Sequence, residues 1–142
     1  MKISFFKQKL INAGLEQDFI EGSKDLFSGS TYLVNGKYTK AFEKSFADFV
    51  GSKYFSFLSN GLDALTLALN ALGLQPGDEV IVPSHTYIAT WIAPLRLGCK
   101  LKIVPVEDES FLMDTSKLSY FITEKTKAVM PVHLYGNSCD IE

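Results

Sequence analysis

The chain has 142 residues, of which 46% are hydrophobic and 21% charged, and its formal net charge is −2. This is the composition of a globular protein with a buried core, and it excludes a disordered chain. The absence of a basic stripe argues against nucleic-acid binding, and no apolar run reaches the length of a membrane span. The two cysteines, Cys99 and Cys139, lie far apart, so we expect neither a disulfide framework nor a metal site, and a reducing cytoplasm as the location.

The N-terminal part of the chain is predicted to contain a short helix over residues 4–13. An irregular segment rich in Gly, Ser, Thr, Asn and Tyr follows over residues 21–38. Thr39 is expected to cap the next helix, Glu43 to complement its dipole, and Gly51 to end it. The phenylalanines that recur along one side of this helix are expected to be core residues.

From residue 53 onward, apolar strands alternate with segments of helical spacing. The predicted strands cover residues 53–58, 79–82, 101–106 and 127–134, and the predicted helices cover residues 62–72, 84–97 and 115–122. Pro76-Gly77-Asp78 marks a turn, Pro94 should kink or shorten its helix, and Asp114 should cap the last helix. This alternation predicts a doubly wound α/β fold with a mostly parallel sheet.

Polar segments follow three of the predicted strands, at residues 59–63, 83–87 and 133–137. In parallel α/β sheets, ligands bind beyond the carboxyl ends of the strands. We therefore expect all three segments to face one crevice. Within the last of them, His133 is expected to be a hydrogen-bonded histidine near the core, and Asn137 to reach the crevice.

The segment Ser59–Leu65 joins a predicted strand to a predicted helix through Gly61. The unpaired N–H groups of a first helical turn, together with the helix dipole, can hold a phosphate. A polar cap without any ligand is the alternative. Neither GxxxxGK[ST] nor GxGxxG occurs, which argues against a P-loop and against a dinucleotide fold. The remaining interpretation is a site that holds a phosphate mainly through backbone groups and small side chains.

The start of the helix predicted at 84–97 is crowded with polar and aromatic side chains. Tyr87 can stack on a planar cofactor ring, or it can be a core aromatic behind a cap supplied by Ser84 or Thr86. His85 is a candidate general base, although a surface or capping histidine is the commoner outcome.

Six segments, in a matching order and spacing, resemble the DegT/DnrJ/EryC1/StrS family of sugar-nucleotide aminotransferases that depend on pyridoxal phosphate. The segments are Phe42–Ala47, Ser59–Leu65, Pro76–Pro83, Thr86–Thr90, Lys125–Val129 and Pro131–Gly136. The resemblance implies an incomplete three-layer α/β/α sandwich with a mostly parallel sheet. This is the N-terminal part of the large domain of fold-type I pyridoxal-phosphate-dependent transferases.

On this resemblance, residues 1–38 are the N-terminal helix and irregular approach segment, and residues 39–142 are the N-terminal portion of the cofactor-binding domain, which is expected to be truncated. The lysine that binds the cofactor covalently in the family matches no lysine of this chain. The carboxylate that pairs with the pyridine nitrogen is also without a match. No catalytic residue is therefore assigned, and the lone chain is expected to be inactive.

The resemblance assigns cofactor-binding residues on both sides of the predicted crevice. The turn formed by Asn60, Gly61, Leu62 and Asp63 is expected to hold the phosphate of pyridoxal 5'-phosphate, mainly through backbone amides. Tyr87 is expected to stack on the pyridine ring. Leu62 stands where the family usually has Thr, which removes a hydroxyl donor but keeps the backbone N–H.

The resemblance also implies transfer of an amine from glutamate to a nucleotide-linked keto sugar. Leu62 and the residues at 87–91 are most similar to members that aminate C3 of a dTDP-linked 3-keto-6-deoxyhexose, whereas His85 and Pro94 depart from that subgroup. The complete enzyme is expected to be a homodimer. A dehydratase that uses the same fold and cofactor, and a non-catalytic binding or interaction fragment, are the alternatives.

Overall fold

The structure is a computed structural model that describes Lys7 and residues 12–141. The chain divides into two compact units, Met1–Phe57 and Leu58–Glu142. Most of the helix predicted at 4–13 lies outside the described residues. The domain boundary predicted from the resemblance stays a prediction.

In the described part of the first unit, helix α1 covers Glu16–Phe27 and helix α2 covers Lys37–Val50. The prediction that the chain is irregular from residue 21 is therefore wrong for the residues that α1 occupies. Acidic residues in its first turn and a lysine in its last turn complement the helix dipole, which favours a helix there.

Helix α2 begins two residues before its predicted cap. Gly36 is its N-cap residue, so Thr39 lies inside the helix and does not cap it. The carboxylate of Glu43 accepts a hydrogen bond from the backbone N–H of Phe57 at 2.9 Å, so it serves a tertiary contact beyond the helix start. The prediction for the other end is confirmed, because Gly51 follows the helix with the left-handed φ of 70° that glycine adopts without strain.

The strand predicted over residues 53–58 is wrong, because no described strand pairs with this segment. The segment is held by aromatic contacts with α2. The ring of Phe55 lies 4.4 Å from that of Phe46, and the ring of Phe57 lies 5.4 Å from that of Phe42, measured between centroids. Apolar residues in a row predicted a buried strand, but they bury only part of their surface against one helix.

The phenylalanines of α2 are less buried than predicted. Phe46 is half-buried, whereas Phe42 is exposed and Phe49 keeps 85% of its surface in solvent. The prediction of a core stripe is therefore wrong for Phe49 and holds only in part for the other two.

The second unit is built on three parallel strands in the order β2-β1-β3, which confirms the predicted parallel α/β sheet. Its strands are β1 (Glu79–Pro83), β2 (Lys100–Val104) and β3 (Thr126–Val129), and its helices are α3 (Gly61–Ala71), α4 (Ala89–Arg96) and α5 (Leu118–Phe121). Short 3₁₀ helices cover Thr115–Lys117 and Leu134–Gly136.

Strand β1 lies at the centre of the sheet, and every one of its residues is buried. Alternate side chains of a strand face opposite sides of the sheet. Val80 and Val82 accordingly pack in one cluster with Leu69 of α3 and Ala93 of α4. Ile81 packs in a second cluster with Val104, Met113, Leu118 and Phe121. Both faces of the sheet are therefore covered, as the predicted three-layer sandwich requires.

Two helix starts in the second unit differ from prediction. Helix α4 begins at Ala89, five residues after the predicted start, because Ser84 still donates its backbone N–H to the carbonyl of Val104 at 2.8 Å. Asp114 makes no side-chain cap; its carboxylate lies 2.8 Å from Nζ of Lys117, and the helix opens with a 3₁₀ turn.

The turn at Pro76-Gly77-Asp78 is confirmed. Gly77 has a φ of 94°, and the carboxylate of Asp78 accepts the backbone N–H of Gln75 at 2.7 Å. Pro94 lies within the short helix α4, which ends two residues later. Among the described residues, no helix is both long and apolar enough to cross a membrane.

Candidate functional site

The N-terminus of α3 carries unpaired backbone donors. Asn60 is extended and acts as the N-cap: its side-chain oxygen accepts the N–H of Asp63 at 2.9 Å, and its carbonyl accepts the N–H of Ala64 at 3.1 Å. Among the described residues, no acceptor is seen for the N–H groups of Gly61 and Leu62. The polar cap and the phosphate site, given above as alternatives for this turn, are therefore compatible. Capping satisfies the N–H of Asp63 and leaves the N–H groups of Gly61 and Leu62 available.

These donors open onto a cleft of about 870 Å³ within the second unit. Four of the five predicted cofactor-binding residues line it, namely Asn60, Gly61, Leu62 and Tyr87. Tyr87 keeps 76% of its surface exposed, so the alternative in which it is a core aromatic is wrong. Helix α4 also has no side-chain cap, so the caps considered in that alternative are absent.

The cleft leaves room directly beside the turn. A Cβ added to Gly61 would meet no described atom within 4 Å. Thr90 lines the same cleft and is buried, and its hydroxyl lies 2.9 Å from that of Thr86. The walls therefore combine backbone donors, the polar side chains of Asn60 and Thr90, the exposed ring of Tyr87 and several aliphatic side chains.

Asp63, the fifth predicted residue, faces a different set of partners. Its carboxylate accepts hydrogen bonds from the Ser59 hydroxyl at 2.6 Å, the Asn60 amide at 2.9 Å and the Arg96 guanidinium at 2.8 Å. The Ser59 hydroxyl, followed by the Arg96 guanidinium and the Asn60 amide, lowers the pKa of the Asp63 carboxyl. Sequence reasoning missed Arg96, since it lies 33 residues away and no local spacing pattern pairs it with Asp63.

The lowered pKa of Asp63 predicts a pH-dependent contribution to stability. Because the folded pKa lies below the ordinary value of 3.8, the contribution is present above pH 3.8 and is lost as the pH falls through the folded pKa. Urea unfolding of the parent chain and of Asp63→Asn should therefore show a difference in midpoint that narrows on acidification. A difference that stays constant from neutral to acidic pH would contradict the role of the ionised carboxylate.

His85 lies in another cluster, with two aromatic residues that sequence reasoning did not single out. Its Nε2 is 3.1 Å from the hydroxyl of Tyr135, and its ring centroid is 5.8 Å from that of Phe111. Phe111 and Tyr135 have φ values of 59° and 56°, a left-handed conformation that is uncommon for aromatic residues. This cluster connects the loops that follow β1, β2 and β3.

The segment 133–137 does not line this cleft, but its Tyr135 lies 3.1 Å from His85 of segment 83–87, so the prediction that these loops face each other is confirmed for this pair. His133 is hydrogen-bonded as predicted, since its Nδ1 accepts the N–H of Cys139 at 3.0 Å, but it is exposed and not near the core. Asn137 donates its side-chain amide to the carbonyl of Ser110 at 3.4 Å. Within residues 12–141, no group of three His, Cys, Asp or Glu side chains is arranged to hold a metal ion.

The fold and the cleft together define a class of protein. A parallel α/β sheet with a helix N-terminus and an exposed aromatic residue on one cleft has the features that can hold an anion and an aromatic ring. Comparison with known proteins then gives the family: residues 15–142 match the model of the DegT/DnrJ/EryC1/StrS aminotransferase family. The chain belongs to this family.

Several similar proteins of known sequence are named as sugar transaminases or aminotransferases. The chain is 43% identical over 130 residues to GDP-perosamine synthase of Caulobacter vibrioides, an alignment that covers 91% of this chain and 34% of that protein. It is 39% identical over 140 residues to dTDP-3-amino-3,6-dideoxy-alpha-D-galactopyranose transaminase of Aneurinibacillus thermoaerophilus. This alignment covers 99% of this chain and 38% of that protein. The chain thus spans little more than a third of the length of these relatives.

Solved structures confirm the predicted fold class. The chain superimposes on DesV of S. venezuelae with a TM-score of 0.89 at 36% identity, covering 99% of this chain and 38% of that one. NtdA from Bacillus subtilis with bound cofactor PMP gives a TM-score of 0.89 at 33% identity. The superposition covers 98% of this chain and 32% of NtdA. The fold is therefore the α/β fold of fold-type I pyridoxal-phosphate-dependent transferases.

Proposed function

We propose that this chain forms part of the cofactor pocket of a pyridoxal-phosphate-dependent sugar aminotransferase. The observation that carries the proposal is the cleft in which the unpaired N–H groups of Gly61 and Leu62 share the walls with the exposed ring of Tyr87. A phosphate ester attached to a flat aromatic ring needs both features, because one holds the anion and the other the ring.

The residues present fit pyridoxal phosphate. The N–H groups of Gly61 and Leu62 would donate to the phosphate, and Tyr87 would cover one face of the ring. When bound, the cofactor supplies the electron-withdrawing ring that amine transfer requires. The chain itself would bind the phosphate and orient the ring.

For the complete enzyme we propose an amine transfer from glutamate to a nucleotide-linked keto sugar. The names of the similar proteins support amination over dehydration, since GDP-perosamine synthase and a dTDP-amino-sugar transaminase are among them. We propose C3 of a dTDP-3-keto-6-deoxyhexose as the acceptor, on the resemblance of Leu62 and residues 87–91. We also propose a homodimer for the complete enzyme, as the family resemblance implies.

Binding of pyridoxamine phosphate to the purified chain tests the proposal directly. This form of the cofactor suits the test because it can bind without a covalent lysine. Isothermal titration should show that the chain binds pyridoxamine phosphate more tightly than pyridoxamine, which lacks the phosphate. Equal or undetectable affinity for both compounds would contradict the proposed pocket.

Tyr87→Ala should weaken the binding of pyridoxamine phosphate by about 3- to 10-fold, because the ring loses its stacking partner. Tyr87→Phe is the matched control and should bind like the parent, since it keeps the aromatic face and loses only the hydroxyl. Isothermal titration of the three proteins gives the comparison. A similar loss in both variants would assign the effect to the hydroxyl and not to stacking.

A further inference from the structure

The first turn of α3 combines two features that oppose each other electrostatically. Its unpaired N–H groups and the positive end of the helix dipole favour an anion. The same turn carries the carboxylate of Asp63, which stabilises the helix but repels a phosphate at that end. A phosphate site therefore needs this negative charge to be compensated.

Arg96 supplies the compensating charge from the neighbouring helix. Its guanidinium lies 2.8 Å from the Asp63 carboxylate, and both side chains are partly exposed. Arg96 is the last residue of α4, where a cation is favoured by the negative end of the helix dipole. The packing of α3 against α4 in one hydrophobic cluster keeps the two charges close together.

The Asp63 carboxylate also organises the turn through neutral partners. It accepts hydrogen bonds from the Ser59 hydroxyl and the Asn60 amide, and the other end of the Asn60 side chain accepts the N–H of Asp63. The side chain of Asn60 therefore makes two hydrogen bonds with Asp63, one to its carboxylate and one from its backbone N–H. This arrangement leaves the N–H groups of Gly61 and Leu62 as the donors that face the cleft.

We propose that Asp63 and Arg96 act as a positioning pair for the phosphate site, in which Asp63 holds the turn and Arg96 cancels the charge that Asp63 brings to it. The inference rests on the proposed function, because it presupposes that the turn binds a phosphate. Neither side chain needs to touch the ligand. The pair determines how strongly the site prefers a phosphorylated ligand over the same ligand without phosphate.

Five proteins test the pair: the parent chain, Arg96→Gln, Arg96→Lys, Asp63→Asn and the double variant that combines Arg96→Gln with Asp63→Asn. The probes are pyridoxamine phosphate and pyridoxamine, measured by isothermal titration at low salt. Arg96→Gln should lower the affinity for pyridoxamine phosphate by roughly tenfold, since it leaves the Asp63 charge uncompensated beside the phosphate. Its affinity for pyridoxamine should stay at the parent value. Arg96→Lys keeps the charge and should restore most of the binding.

The double variant separates charge compensation from direct contact. If Arg96 acts by compensating Asp63, removing both charges should bring the affinity back close to that of the parent chain, because the pair carries no net charge in either protein. If Arg96 instead contacts the phosphate, the double variant should bind as weakly as Arg96→Gln, and this result would overturn the proposal. All variants lie at partly exposed positions, and the fluorescence of Trp91, the single tryptophan, verifies that the second unit is folded.

The experiment distinguishes an error in the proposed role of Asp63 and Arg96 from an error in the proposed cofactor pocket. If the parent prefers pyridoxamine phosphate but Arg96→Gln shows the same preference, the pocket stands and the pair has no role. A parent chain that does not distinguish the two probes would overturn both the pocket and the pair.

Discussion

Replacing Gly61 with proline is expected to weaken the binding of pyridoxamine phosphate by roughly 10- to 100-fold, because the site loses one charge-assisted hydrogen bond. The fold should remain intact for two reasons. Gly61 is the first residue of α3, the helical position at which proline is favoured and its missing N–H costs no helical hydrogen bond. Asn60, the preceding residue, is already in the extended conformation that a residue before proline adopts.

Gly61→Ala is the control for this substitution. It keeps the backbone N–H, and its added Cβ meets no described atom within 4 Å. Isothermal titration should therefore place Gly61→Ala close to the parent and Gly61→Pro far below it, with urea midpoints showing that both variants fold. Equal losses of affinity in the two variants would mean that the N–H of Gly61 is not a ligand of the phosphate.

Replacing Ile81 with alanine should lower the free energy of unfolding by about 2–5 kcal/mol, the range for truncating a large aliphatic side chain in a packed core. Ile81 is fully buried in β1, the central strand, where it packs with Val104 and Met113. No solvent can enter this position to replace the lost contacts, so truncation leaves a cavity between the sheet and α5.

Ile81→Val is the graded control and should cost about 0.5–1.5 kcal/mol, since it removes a single methylene group. Urea unfolding followed through Trp91 measures the loss in the unit that contains the cleft, because Trp91 packs against the cluster of Val80 and Val82 on the opposite face of β1. A loss below 1 kcal/mol for Ile81→Ala would show that the core relaxes around the cavity.

The stability of β1 matters for the proposed function because the strand supports the loop that bears Tyr87. The backbone N–H of Ser84 continues the sheet by donating to Val104, and the indole N–H of Trp91 donates to the carbonyl of Pro83 at 3.0 Å. These bonds fix both ends of the loop between β1 and α4. The loop that carries Tyr87 is therefore anchored to β1, a strand in which every residue is buried.

Elements with strong local signals were predicted well. The segment Ser59–Leu65 predicted the start of α3 to within one residue, and the run from Glu79 to Val82 predicted β1. The turn at Pro76-Gly77-Asp78 was also found. In each case the hydrogen bonds or the backbone conformation that define the element lie within a few residues of the signal.

Elements that depend on distant partners were predicted poorly. Residues 53–58 have the apolar composition of a strand, but a strand exists only where another strand pairs with it, and none of the described strands does. Helix α4 was predicted five residues too long at its start because Val104, from another strand, holds Ser84 in the sheet.

The sequence by itself determined the class of the fold, the family and the turn that is proposed to hold the phosphate, because alternation, capping and the positions of glycines are local properties of the chain. Tertiary structure decided which side chains share the cleft. In the folded chain, Tyr87 and the turn at Gly61 line the same cleft. His85 contacts Phe111 and Tyr135. Arg96 forms an ion pair with Asp63. Such pairings depend on the packing of helices and loops against a common sheet, and residue spacing along the chain does not encode them.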